Sequence, residues 1–131
     1  MSYHWLEHTA ELALEVEAAT EQEVFVDALR ALAELQGNDV GGAPVGREIL
    51  LSATDRAALL ARWLEELLYL GEIEDLVAIG VDAFDLHDMQ LRASVQCRRG
   101  NPRHLVKGVT YHRLTFEPSD HGVRATVVLD V

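Results

Sequence analysis

LALEVEAATEQEVFVDALRALAELQGN, residues 12–38, changes its periodicity once, and that change decides the fold class. Leu12, Leu14 and Val16 alternate with Ala13, Glu15 and Glu17, so one set of side chains falls on each face of a half-buried strand. Beyond Thr20 the apolar residues Val24, Ala28, Leu32 and Leu35 recur at helical spacing, with Phe25 and Leu29 beside them. Thr20 and Glu23 have the spacing of a capping box, which satisfies amide groups left without partners at a helix start. Gly37 and Asn38 both tolerate the left-handed backbone found just past a helix end. The stretch therefore predicts a strand running directly into an amphipathic helix.

Working outward, NDVGGAPVG (38–46) has the composition of a loop, and REILLSA (47–53) predicts a short strand around Ile49 to Leu51. Thr54 and Asp55 open a second helix, in which Leu59, Leu60, Trp63, Leu64, Leu67 and Leu68 line one broad face and which Gly71 ends. Arg62 and Glu66, four residues apart, suit its wet side. After EIED (72–75) the period returns to two. Val77, Ile79, Val81 and Ala83 alternate with their neighbours, a turn follows near LHD (86–88), and Met89, Leu91, Ala93, Val95 and Cys97 alternate again, which predicts a hairpin. One strand is expected over Val106 to Phe116 and a last one over Val123 to Val131, with PSDHG (118–122) as the turn between them. Two helices and about six strands, mostly joined as hairpins, predict a two-layer α+β domain. The two helices would pack on one face of a mainly antiparallel sheet, in a single domain spanning 1–131.

The composition narrows the function. A chain of 131 residues can bury a core of its own, and 49% hydrophobic residues exclude a disordered tail. The apolar runs are short and broken by charges, so no membrane span is expected. The start, MSYHWLEHTAE, has neither the basic nor the apolar region of a signal peptide, and the single Cys97 cannot form an internal disulfide. A cytoplasmic location is the expectation. The net charge of −11 argues against strong direct nucleic-acid binding, which needs a basic surface to release phosphate counterions. One stretch departs from this. RRGNPRHLVKGVTYHRLTF (98–116) holds five of the eleven basic residues and no acid. It reads either as a solvated loop with basic strand edges or as a contact surface for an acidic or phosphorylated partner.

Candidate chemistry gathers at the two ends. In VRATVVLDV (123–131), Val123, Ala125, Val127, Leu129 and Val131 share one strand face, and Arg124, Thr126, Val128 and Asp130 share the other. Asp130 then lies away from the core, with the carboxylate expected at Val131 one residue away. Like charges this close require an offset, whether a cation, an arginine or deep solvation. A hard divalent ion prefers such oxygens. Further ones could come from EHTAE (7–11), where Glu7 or Glu11 would face Asp130 if the first and last strands are neighbours. Solvated acids in an acidic protein are the plain alternative. HWLEH (4–8) matches the H-x-x-E-H pattern of an inverted zinc peptidase. That mechanism needs His4 and His8 on one helix face, and this stretch runs into strand-like sequence. Nothing else suggests catalysis: no serine lies in a nucleophile elbow, and Gly41 and Gly42 lack the lysine and helix start of a phosphate loop. His87, His104 and His121 fall in turns.

HTAELALEV (8–16), WLEELLYL (63–70), KGVTYHRL (107–114) and the closing VVLDV (127–131), in this order and at these distances, resemble the archease family over essentially the whole chain. The resemblance implies an accessory protein rather than an enzyme. Its partner would be the RtcB-type RNA ligase, which joins a 2′,3′-cyclic phosphate or 3′-phosphate end to a 5′-hydroxyl using GTP and manganese. Archeases are described as promoting ligase guanylylation and repeated turnover in tRNA splicing and RNA repair. An older view of the family is of a chaperone-like modulator of RNA-modifying enzymes. The resemblance also implies a divalent cation, most often calcium, with magnesium or manganese as alternatives. Carried onto this chain, its ligands are Glu11, Asp130 and Val131. The commonest family pattern has aspartate where Glu7 and Glu11 stand here, and glutamate reaches further by one methylene. Glu7, His8, Lys107, Thr110, Tyr111 and His112 match family motif positions and are candidates for contacts around the ion or with the partner. The plain alternatives are a sheet-covering strand residue for Tyr111 and exposed or hydrogen-bonded histidines for His8 and His112.

Overall fold

The computed structural model describes residues 2–8, 11–37, 40–100 and 106–131; the side chains of Glu7, His8 and Val40 are outside that description. In chain order the elements are β1 (Ser2–His8), β2 (Glu11–Ala18), α1 (Glu21–Gln36), β3 (Val40–Ser52), α2 (Arg56–Glu74), β4 (Leu76–His87), β5 (Gln90–Gly100), β6 (Gly108–Ser119) and β7 (Gly122–Asp130). The α+β class with two helices and antiparallel pairing is as expected. The strands number seven among the described residues and form two sheets, β1-β2-β7-β6 and β3-β5-β4, rather than one sheet of about six.

Both helices start where their caps require. Thr20 is extended, and its Oγ1 accepts the Glu23 amide at 3.2 Å. Asp55, not Thr54, caps α2, with its Oδ1 accepting the Ala58 amide at 2.8 Å. Gly37, at φ 107°, ends α1 by donating its N–H to the Ala33 carbonyl, and Asn38 lies outside the described residues. Helix α2 passes through Gly71 and stops at Asp75, which takes the left-handed conformation at φ 56°. A glycine inside a helix costs only ~1 kcal/mol relative to alanine, too little to break a helix anchored by buried Leu67 and Leu70.

Three strand assignments differ from expectation for identifiable reasons. HWLEH lies in β1, an edge strand paired with β2, so the helical peptidase geometry does not arise. VGGAPVG, read as loop, is the first part of β3. It is an edge strand whose register shifts between Gly41 and Val45, and an edge or bulge tolerates a proline such as Pro44, which has no amide to give. In β4 the strict alternation from Val77 to Ala83 fails because the register shifts twice, between Ala78 and Gly80 and between Val81 and Ala83. Each bulge inserts one residue. The side chains that reach the core are therefore Leu76, Ala78, Val81, Phe84 and Leu86. The hairpin partner β5 alternates as read, burying Leu91, Ala93, Val95 and Cys97, while Met89 falls in the turn and is exposed.

One hydrophobic core joins both sheets and both helices. Trp63 of α2 is completely buried at its centre, edge-on to Phe84 at 5.7 Å and Phe25 at 6.4 Å, and its Nε1 donates to the Phe25 carbonyl at 2.9 Å. Phe25 also packs on Phe116 at 5.9 Å, tying α1 to β6. Among the described residues no helix is long and apolar enough to cross a membrane. The pairing of β2 with β7 brings the two ends of the chain together.

Candidate metal centre

Four strands of the first sheet end in one row of paired positions. His8 of β1 stands opposite Glu11 of β2, Glu11 opposite Asp130 of β7, and Asp130 opposite Gly108 of β6. Directly opposed residues of an antiparallel pair point to the same face, with Cβ atoms about 4.5–5.5 Å apart. Leu12, Leu14, Val127 and Leu129 of the same two strands are buried, so Glu11 and Asp130 project from a part of the sheet anchored in the core. The Asp130 backbone is tied down as well, since the Lys107 amide donates to its carbonyl at 2.7 Å. Val131 follows β7 and is half-buried.

The charge of Glu11 is met by a residue from elsewhere. Arg113 Nη2 donates to Glu11 Oε2 at 2.8 Å. Arg113 sits at φ 59° in Tyr111–Leu114, the four residues of β6 that lie between its two blocks of pairing with β7 at Thr110 and Thr115. Arginine was one of the offsets expected beside these carboxylates, but the sequence did not identify which arginine. The available signal was its place in the acid-free basic stretch. Of that stretch, residues 101–105, His104 among them, lie outside the described residues.

The other candidates distribute around this row. Glu7 pairs with Leu12, one position from the row that holds His8. Lys107 is exposed just before β6. Thr110 Oγ1 accepts the His112 amide at 2.9 Å and so fixes one side of the bulge. Tyr111 is exposed, and its hydroxyl donates to Glu65 Oε1 of α2 at 2.9 Å; partial burial and then the carboxylate push the phenol above its usual pKa. His112 is exposed. Beside the start of β6, a cleft of about 700 Å³ opens between α2 and β6, lined by Leu68, Tyr69, Glu72, Val106, Lys107 and Val109.

The donor set fits a hard divalent ion in chemistry. Glu11 and Asp130 are directly opposed on neighbouring strand ends, with Val131 next in the chain, and a hard cation prefers such carboxylate oxygens. Among the described residues no three His, Cys, Asp or Glu side chains gather at one point, so backbone oxygens or water would complete the shell. A guanidinium already occupies one oxygen of Glu11.

The model of the archease protein family (MTH1598/TM1083) matches residues 3–131. The chain is similar to the protein archease of Methanosarcina mazei, with 30% identity over 98% of this chain and 95% of the relative. It is also similar to that of Archaeoglobus fulgidus, with 32% identity over 100% of both. Among solved structures, the fold is similar to Protein 1598 of Methanobacterium thermoautotrophicum, with a TM-score of 0.74 at 24% identity over 98% of each chain. A Thermotoga maritima protein described as an archease and possible chaperone gives a TM-score of 0.71 at 20% identity, over 96% of this chain and 94% of that one.

Proposed function

Because the chain belongs to the archease family, we propose that it is a non-catalytic, divalent-metal-binding activator of an RtcB-type RNA ligase in the cytoplasm. It promotes ligase guanylylation and multiple turnover in tRNA splicing and RNA repair. The observation that carries this reading is the direct opposition of Glu11 and Asp130 on neighbouring strands, with Val131 next in the chain. Glu11, Asp130 and an oxygen of Val131 hold the ion. Calcium is the best fit, with magnesium or manganese also compatible with an all-oxygen set. When bound, the ion supplies a fixed positive charge at the meeting point of β2 and β7. The chain's own residues supply rigidity. The buried Leu12 and Leu129 hold both strand ends in place, and the Lys107 amide fixes the Asp130 carbonyl. Thr110, Tyr111 and His112 lie in or beside the stretch that carries Arg113 to Glu11 and are the candidate contacts with the ligase. The net charge of −11 suits contact with a nucleic-acid-binding enzyme better than contact with RNA.

A second reading has one observation in its favour. Arg113 already neutralises Glu11 without an ion, as a chaperone-like interaction module with no functional metal would require. Ligation with a purified RtcB-type ligase separates the two. Asp130→Ala is expected to remain folded and to abolish the stimulation of multiple turnover. Full stimulation by that variant would refute the metal-binding activator.

A further inference from the structure

We propose that Arg113 is a built-in counter-cation of the carboxylate pair, which a divalent ion must displace from Glu11. Ion binding and release of the Tyr111–Leu114 bulge are then a single event. The inference rests on the metal-binding reading above and adds a device that regulates it.

Three observations carry it. Arg113 reaches Glu11 from a left-handed backbone position, φ 59°, which is uncommon for a side chain of this size. The bulge that holds it there sets four residues of β6 in the gap between Thr110–Val128 and Thr115–Thr126, where β7 supplies only Val127. Among the described residues three side-chain hydrogen bonds tie the bulge down, Thr110 with the His112 amide, Tyr111 with Glu65 of α2 and Arg113 with Glu11, while Leu114 packs against the core. Only the Arg113 bond involves the proposed site.

The competition follows from charge and distance. A hard ion sits at about 2.3–2.6 Å from each carboxylate oxygen, and a guanidinium hydrogen-bonded to the same carboxylate repels it and occupies a lone pair it would use. Displacing Arg113 removes one of the three hydrogen bonds on the bulge while Leu114 keeps its place against the core, so Tyr111 and His112 become freer to rearrange against a partner. The pair is partly exposed, with side-chain exposures of 48% for Arg113 and 37% for Glu11. An ion pair this exposed shifts an equilibrium by about two- to fivefold and no more. The device therefore tunes affinity and does not block the site.

The test is a calcium titration by calorimetry on the full chain, comparing wild type with Arg113→Asn and Arg113→Lys. Asparagine tolerates the left-handed backbone and removes the charge, whereas lysine keeps it. Arg113→Asn should bind calcium about two- to fivefold tighter than wild type, and Arg113→Lys should stay within about twofold of it. In parallel, hydrogen exchange on the wild type should show residues 111–114 exchanging faster with calcium than without, a readout that needs no variant to fold. If the wild type binds calcium and Arg113→Asn binds no tighter, or if the bulge is equally protected with and without the ion, the counter-cation is refuted while the metal site stands. If no form binds calcium, magnesium or manganese, both readings fall.

Discussion

Replacing Asp27 with asparagine should stabilise this protein, although Asp27 lies in the middle of a helix and makes a salt bridge. Asp27 is 3% exposed on α1, and among the described residues its buried Oδ2 has no hydrogen-bond partner. Arg30 approaches Oδ1 at 3.6 Å but is itself mostly exposed, so its attraction is screened. Burial raises the pKa of the carboxyl, Arg30 opposes that rise, and Glu23 adds to it. A buried acceptor left unsatisfied costs about 1–3 kcal/mol, and more when charged. Losing the Arg30 pair gives back at most ~1 kcal/mol. Asp27→Asn keeps the shape and still leaves one side-chain atom unpartnered, but it removes the buried charge and should therefore gain up to about 1 kcal/mol near pH 8. The sign with pH follows from linkage. Because the folded pKa is raised, the folded state binds the proton more tightly, and wild type gains stability as pH falls through that pKa. Below the unfolded aspartate pKa of about 3.9 both forms are neutral and the advantage of the variant disappears. Urea denaturation of both proteins at pH 8 and at progressively lower pH measures this difference, with all shared titrations cancelling. A variant less stable than wild type at pH 8, or a gap that widens toward acid, would refute the reasoning.

Two further substitutions test the frame that holds the strand ends together. Gly122 opens β7 at φ 135°, and a Cβ there would come within 2.3 Å of the Ala18 carbonyl oxygen. Gly122→Ala should cost about 1–3 kcal/mol in chemical denaturation, and an unchanged midpoint would mean that the β2–β7 approach is looser than described. Trp63→Phe removes the indole hydrogen bond to Phe25 and part of a fully packed volume. It should cost about 2–3 kcal/mol by the same assay; a loss below ~0.5 kcal/mol would contradict the central packing role of Trp63.

Much of this was legible in the sequence wherever the signal is local. Thr20 and Glu23 marked the start of α1, and Leu91 to Cys97 marked β5, because caps and alternation are read over a few residues. The bulges of β4 were not legible, since an inserted residue looks like any other until its partner strand is known. The first part of β3, VGGAPVG, was misread as loop because glycine and proline favour loops and are tolerated in a strand at an irregular edge. The acidic pair was found as two separate stretches, and only the β2–β7 pairing joins them. Arg113 was out of reach: it meets a carboxylate 102 residues away and depends on a backbone conformation that its sequence does not suggest.

If Glu11 and Asp130 form the proposed metal site, they act together on one cation. Calorimetric titration of the chelator-treated protein with calcium, repeated on Asp130→Asn and on Glu11→Gln, measures this directly. One ion per chain for the wild type, and binding weakened at least tenfold in each single variant, is the predicted result, because charged-group contacts of this kind are worth about 1.5–3 kcal/mol. Wild-type affinity in either variant would contradict it.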